Sequence, residues 1–421
     1  MSKKILLLQG PVGPFFKRFA KELTANGHSV FKINFNGGDR LYFGDRGAFN
    51  FRGTRDEWPH YLETKLRELK IDRIYLFGDC RHYHDVAKVV AGRLGVALYV
   101  FEEGYLRPNF VTLEANGVNG HSSIPRLASH YRKKSRDSAP GDTVQGTSFF
   151  HAAFFAILYY LACAWQTRGF PHYQHHRPLN PLSEGAKWIL AGMRKLKYRV
   201  NERRTARTFL AEDAPPFFLV PLQVHQDTQV LVHSPFESIE AFIGEVIKSF
   251  ARHAPPTTFL VFKHHPLDRG YRDYTVLIRA CARELGIGHR VKYLHDWSLP
   301  GLLKHCRGVV TINSTVGISA LHHARPVKAL GRSIYDMHGL TYQGELHRFW
   351  VDPGTVDHEL FLRFRAWLMR NIQVPGSFYR VAAAPRNRTG MKWPARIVEA
   401  HGLGAREGQA CAAEPSTVVG I

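Results

Sequence analysis

The chain has 421 residues, 44% of them hydrophobic and 22% charged, which excludes a collagen-like or wholly disordered polymer and allows two or three domains with real cores. Lys and Arg number 57 against 35 Asp and Glu, a formal net charge of +22 that calls for an anionic partner. The five cysteines (Cys80, Cys163, Cys281, Cys306, Cys411) are scattered and lack CxxC spacing, so neither a disulfide framework nor a zinc site is expected, and a reducing cytosol fits.

The opening, MSKKILLLQGPVG, has too short an apolar run for a signal peptide. Residues 4–9, 29–34, 73–77 and 97–101 are apolar or β-branched runs separated by amphipathic stretches at 15–26, 58–70 and 84–94. This predicts βαβ units on a parallel sheet in a first domain over 1–130. Residues 131–213 break the pattern and form a basic connector. Within it, 131–142 is a polar loop, 151–165 is apolar on nearly every face, and 187–207 is one helical stretch with eight basic residues against Glu202. The longest apolar stretch, Phe149 to Trp165, falls short of the roughly 20 residues of a membrane span. Its helix is expected either in an interdomain core or lying on a membrane surface.

A second α/β domain over 214–345 has strand-like runs at 217–222, 258–262, 291–294, 308–312 and 327–330, with helical segments at 237–252, 274–285 and 299–305. Residues 346–400, with a helix over 359–371, are expected to pack back across both halves, and the tail 401–421 to be disordered. The predicted architecture is α/β and GT-B-like: two Rossmann-like domains facing a central cleft, where ligands bind beyond the carboxyl ends of the strands.

The residues at those ends carry the chemistry. Glu102-Glu103-Gly104 follows the fourth strand run. A carboxylate there is either a general base tuned by burial and by its neighbour's charge, or part of a solvated acidic turn. Lys263-His264-His265-Pro266 ends another run and offers donors to a phosphate, or is a turn with incidental histidines. Asn313-Ser314-Thr315 supplies hydroxyls for a phosphate, or simply a helix cap. Gly10 and Gly13 make a glycine-rich turn expected to line the cleft; it fits neither G-x-G-x-x-G nor a P-loop, which disfavours a dehydrogenase or P-loop NTPase. Gln223 and Asp227 end the first strand of the second half and are candidate cleft-lining residues.

Together, Glu102-Glu103-Gly104, His265-Pro266 and Ser314-Thr315 resemble the motifs of bacterial sialyltransferases and related enzymes that use CMP-activated sugars. The segments ILLLQGPVGPFF, FEEGYLRPNFVTLE, VPLQVHQD, FKHHPLD and NSTVGISALHHARPVKALG, spread over residues 4–345, are similar to the capsule polysaccharide biosynthesis and export family of the KpsS/LipB type. The resemblance implies a transferase that moves β-Kdo from CMP-Kdo to lyso-phosphatidylglycerol and so starts the lipid anchor of a Gram-negative capsule. It implies a catalytic carboxylate at Glu102 or Glu103. It also implies a donor site at Lys263, His265, Pro266, Asn313, Ser314 and Thr315.

No cofactor beyond the CMP-Kdo donor is expected. No DxD-like pair sits in a metal position, so the reaction is expected to be metal-independent. The expected partners are the CMP-sugar, a phospholipid acceptor, the anionic inner face of the inner membrane, and other capsule assembly proteins. Nucleic acid is not among them, because no zinc-finger spacing, RNP-like strand or basic zipper occurs. Two alternatives remain: a non-catalytic GT-B-like export component, or a transferase using another nucleotide sugar.

Overall fold

Ile5, Leu6, Leu7 and Leu8 are all fully buried, as a strand covered by helices on both faces must be. The computed structural model describes residues 2–134, 149–175, 181–380 and 387–403. The strands in chain order are β1 (Lys4–Leu7), β2 (Ser29–Asn34), β3 (Ala48–Asn50), β4 (Arg73–Phe77), β5 (Ala97–Glu103), β6 (Phe110–Ala115), β7 (Phe217–Pro221), β8 (Phe259–Lys263), β9 (Val291–Leu294), β10 (Gly308–Thr311), β11 (Val327–Ala329) and β12 (Gln373–Pro375). They form a seven-stranded sheet of order β12-β6-β5-β4-β1-β2-β3 and a five-stranded sheet of order β11-β10-β7-β8-β9. The second is parallel throughout. The architecture is the GT-B-like pair of Rossmann-like lobes.

The first sheet departs from the parallel expectation at one edge. β6 pairs antiparallel with β5, and β12 antiparallel with β6. The reason lies in the turn between β5 and β6. A Cβ at Gly104 would fall 2.1 Å from the Phe110 carbonyl oxygen, so only glycine lets the returning backbone come so close. Glu102 and Glu103 are therefore the last residues of a hairpin strand rather than of a strand-to-helix turn.

After the second sheet the chain returns to the first. Helix His358–Asn371 packs Phe361, Phe364 and Leu368 into a core cluster that also contains Tyr105 and Phe110 of the first lobe and Leu219 and Val261 of the second. β12 follows directly and completes the first sheet. Helix Ala395–His401 extends one residue into the region expected to be disordered, and residues 404–421 lie outside the described residues.

The connector differs from the single basic helix expected over 187–207. Helix Pro181–Asn201 and helix Arg203–Leu210 meet at Glu202. Its carboxylate accepts from the His295 amide (2.8 Å), bonds the His295 ring (2.5 Å) and accepts from the Trp297 indole (3.1 Å), so a tertiary clamp breaks the helical run. Residues 135–142 of the expected polar loop lie outside the described residues.

Helix Phe149–Trp165 is neither wholly buried nor wholly exposed. Tyr159 and Cys163 are buried. Its backbone comes so near that a Cβ on Gly37 would fall 2.2 Å from the Ala162 carbonyl oxygen. On the opposite side Phe150, Phe154, Ile157, Leu161 and Trp165 face solvent.

Candidate active site

Side chains alternate along a strand, so the adjacent glutamates at the tip of β5 point to opposite faces. Glu103 shares its face with Phe101 and accepts a hydrogen bond from the Tyr379 hydroxyl at 3.0 Å. Glu102 lies on the other face, where its Oε1 accepts only the Glu103 amide, at 2.9 Å, among the described residues. Burial pushes the Glu102 carboxyl up to about 7; the Glu103 amide opposes this and the Glu103 charge adds to it. The guanidinium groups of Arg107 and Arg81 act in the opposite sense and lie near enough to be felt. A half-buried carboxyl that titrates near neutrality is suited to accept a proton from a hydroxyl.

The opposing tip is the turn after β8. His265 Nδ1 accepts from the Leu267 amide at 3.2 Å, which assigns the ring proton to Nε2 and makes that atom a donor. Burial lowers the ring to about 4, followed by the charges of Arg107 and Lys263, so His265 is neutral near pH 7. Arg107 belongs to the first lobe and His265 to the second. The charge of Arg107 is felt at both Glu102 and His265, and the turn after β5 shares one core cluster with β8 and β9 through Tyr105, Phe110, Val261 and Leu294.

Lys263, expected to face the donor, turns inward instead. It is 6% exposed, and its ammonium donates to the carbonyls of His264 (3.0 Å) and His295 (2.7 Å). It is the last residue of β8, held in the sheet layer, and burial lowers it to about 8. Pro266 opens a short 3-10 turn and is exposed.

At the tip of β10, Ser314 Oγ accepts the Val316 amide at 3.2 Å and the Ser314 carbonyl accepts the Tyr335 hydroxyl at 2.6 Å. Thr315 holds the N-cap position of helix Val316–His322 without a side-chain capping bond. Asn313 is tied to the tip of β7: Gln223 Nε2 donates to Asn313 Oδ1 (3.0 Å) and to Asp227 Oδ2 (3.1 Å). Asp227 Oδ1 caps helix Thr228–His233 by accepting the Gln229 amide at 2.9 Å. The three polar residues thus form one bracket that holds this helix against the cleft.

Gly10 and Gly13 sit elsewhere. They line a separate hollow with Lys17, Lys32, Asp39 and Tyr159 beneath helix Phe149–Trp165. Gly13 adopts φ +117°, and a Cβ there would touch the Phe155 ring at 3.0 Å. Gln9 links this hollow to the cleft, since Arg81 donates to Gln9 Oε1 at 2.8 Å and Gln9 Nε2 donates to Tyr159 Oη at 2.9 Å.

Sequence reasoning passed over Arg107 and Tyr379. Arg107 lies in FEEGYLRPNF, and its position beside the glutamates was the available signal. Tyr379 follows β12 from across the chain and gave none.

The model of the capsule polysaccharide biosynthesis protein family matches residues 72–379 of this chain. The chain belongs to that family. Two relatives extend the match. The capsule polysaccharide export protein KpsS of Escherichia coli is 43% identical over 378 residues, which cover 90% of this chain and 97% of that one. The capsule polysaccharide modification protein LipB of Neisseria meningitidis serogroup B is 40% identical over 395 residues, 92% of this chain and 94% of its own. Among solved structures, KpsC of Thermosulfurimonas dismutans, a beta Kdo 2,7 transferase, is similar over 86% of this chain and 90% of its own, at 14% identity and a TM-score of 0.41. The family match runs from just before β4 to Tyr379 and so contains Glu102, Glu103, Arg107 and His265, while Gly10 and Gly13 lie outside it.

Proposed function

We propose that this chain is a glycosyltransferase that moves β-Kdo from CMP-Kdo to a lyso-phosphatidylglycerol acceptor during capsule assembly. The observation that carries the reading is a half-buried carboxyl at the end of β5 and a neutral histidine just after β8, on two lobes that share one core cluster. When the bond between the sugar's anomeric carbon and the CMP phosphate breaks, its electrons leave with the phosphate and oxocarbenium character develops on the sugar. The leaving phosphate then needs donors. In this reading Arg107 and His265 Nε2–H supply them, and Ser314 and Thr315 serve the nucleotide. The acceptor hydroxyl must lose its proton as it bonds the anomeric carbon, and Glu102 takes it. Glu103, engaged by Tyr379, positions the end of the strand. Protein cations supply the charge stabilisation, so the reaction is read as metal-independent.

The acceptor is a lipid, and two exposed apolar stripes support a membrane-facing enzyme. One is the outer face of helix Phe149–Trp165 on the first lobe. The other, Ile189, Met193, Leu196 and Val200 with Trp188, lies on helix Pro181–Asn201. That helix is fixed to the second lobe by Arg194, which donates to the Arg269 carbonyl at 2.8 Å. Eight basic residues over 187–207 complement an anionic surface, each contributing on the order of 1 kcal/mol near such lipid. We read the chain as peripheral on the inner face of the inner membrane, beside other capsule assembly proteins. No described helix is long and apolar enough to cross a membrane.

Incubation with CMP-Kdo and lyso-phosphatidylglycerol, followed by mass analysis of the lipid, should show the gain of one Kdo residue. Absence of product together with thermal stabilisation by UDP but not CMP would transfer the reading to another nucleotide sugar. Absence of product and of any nucleotide effect would leave the non-catalytic scaffold.

A further inference from the structure

Cys80, His121 and His233 take no part in the transfer chemistry above, yet they converge on one point between the lobes. Cys80 follows β4, and His121 ends the 3-10 turn Asn119–His121 after β6, so both belong to the first lobe. His233 is the last residue of helix Thr228–His233 in the second lobe. One sulfur and two ring nitrogens lie within 4.8 Å of one another. His233 Nε2 is 3.6 Å from Cys80 Sγ. In a tetrahedral zinc site, metal–sulfur and metal–nitrogen bonds of about 2.3 and 2.0–2.1 Å place those two atoms about 3.5 Å apart.

Further observations bear on the site. His121 Nδ1 bonds Asp79 Oδ2 at 2.8 Å, which fixes the ring and leaves Nε2 as the donor atom facing the cluster. A carboxylate behind a histidine in this way is the usual support of a metal-bound imidazole. His233 is 1% exposed and turns Nε2 toward Cys80, while its Nδ1, on the Gly120 side, has no hydrogen-bond partner among the described residues. Gly120 makes the approach possible, because a Cβ there would lie 2.3 Å from the His233 ring. His121 is partly exposed, which gives an ion a path in and a fourth position for water.

We propose that Cys80, His121 and His233 form a binding site for a zinc-class divalent transition metal, which clasps the two lobes together beside the cleft. The site departs from the sequence expectation because its ligands are brought together by the fold, Cys80 and His233 standing 153 positions apart, and no short spacing could reveal them. On coordination the Cys80 thiol gives its proton to solvent and binds as thiolate, the two imidazoles bind neutral, and Asp79 keeps its bond to His121. The proposal gives this metal no step in the transfer reaction, and the metal-independent reading of that reaction is separate from it.

The test uses the full chain, stripped with a chelator and free of donor and acceptor, so its outcome is independent of the transferase reading. Titration with Zn²⁺ should give one tight equivalent and a raised melting temperature. Co²⁺ should give a near-ultraviolet thiolate-to-metal band. Cys80→Ser should abolish the band and the tight equivalent, and Asp79→Asn should weaken binding by about 10–100-fold. Cys281→Ser, at a distant helix, should change neither. If Cys80→Ser fails to fold, His121→Ala at the partly exposed position carries the same test. No tight equivalent in the wild type, or binding undiminished in Cys80→Ser or His121→Ala, would overturn the site.

Discussion

The hydroxyl of Tyr379 donates to the Glu103 carboxylate at 3.0 Å across 276 residues of chain. That bond separates two glutamates that are indistinguishable in sequence, since it occupies Glu103 on one face of β5, while Glu102 on the other face accepts only the Glu103 amide among the described residues. Replacing Glu102 by Gln should therefore lower kcat by about 10²–10⁴-fold, the range for a lost general base. Glu103→Gln and Tyr379→Phe should each cost roughly tenfold or less, as the loss of one positioning hydrogen bond does. Equal losses at both glutamates would show that the strand tip acts as a unit.

The pH dependence has a defined sign. Glu102 is raised to about 7, so as a base it is active only once ionised, and kcat/KM should climb through neutral pH. Stability runs the other way. The folded state holds this proton more tightly than the unfolded chain, so the contribution is full below the ordinary carboxylate range and lost as pH rises toward about 7. Glu102→Gln should consequently unfold at higher denaturant than wild type at pH 8, by on the order of 2 kcal/mol for a partly exposed group, and match it at pH 4.

Arg107 joins the two tips electrostatically. Its charge lowers both Glu102 and His265, so Arg107→Ala should shift the rising limb of the pH profile to higher pH and raise the His265 titration followed by NMR. The KM for the nucleotide sugar should rise about 10–100-fold, the cost of a charge-assisted phosphate contact. An unchanged KM would remove Arg107 from the donor site.

Gly104→Ala tests the hairpin that aims the glutamates. The new methyl would sit 2.1 Å from the Phe110 carbonyl oxygen, so the turn must open. Chemical denaturation should show a loss of about 1–3 kcal/mol or more, accompanied by reduced transfer.

Flotation with vesicles tests the apolar stripes. Phe154→Ser with Leu161→Ser, and separately Leu196→Ser with Val200→Ser, should each reduce binding to phosphatidylglycerol vesicles. Raised salt should reduce it further, because the surrounding charge is basic. Unaltered flotation in both pairs would assign these faces to another surface.

Much of the sheet architecture was legible because strands covered on both faces must be continuously apolar, as in Phe217 to Val220. β6 was not, because its FVTLEA alternates and its pairing depends on a turn that only Gly104 permits. Glu102 and His265 could be placed at strand ends from sequence. Lys263 misled because β8 extends one residue beyond the predicted run and carries its side chain inward. The break at Glu202 was invisible because its cause, the His295–Trp297 clamp, lies more than ninety residues away. Local propensity cannot carry information of that kind.

Because β12 re-enters the first sheet after the chain has built the second, the lobes are tethered by two polypeptide crossings instead of one. Two tethers turn a ball joint into a door hinge: admission and release of a substrate must then proceed by rotation about a single line, with sideways drift and twisting forbidden. A backbone cut between the lobes on the outward path would leave the halves moored through helix His358–Asn371 on the return path.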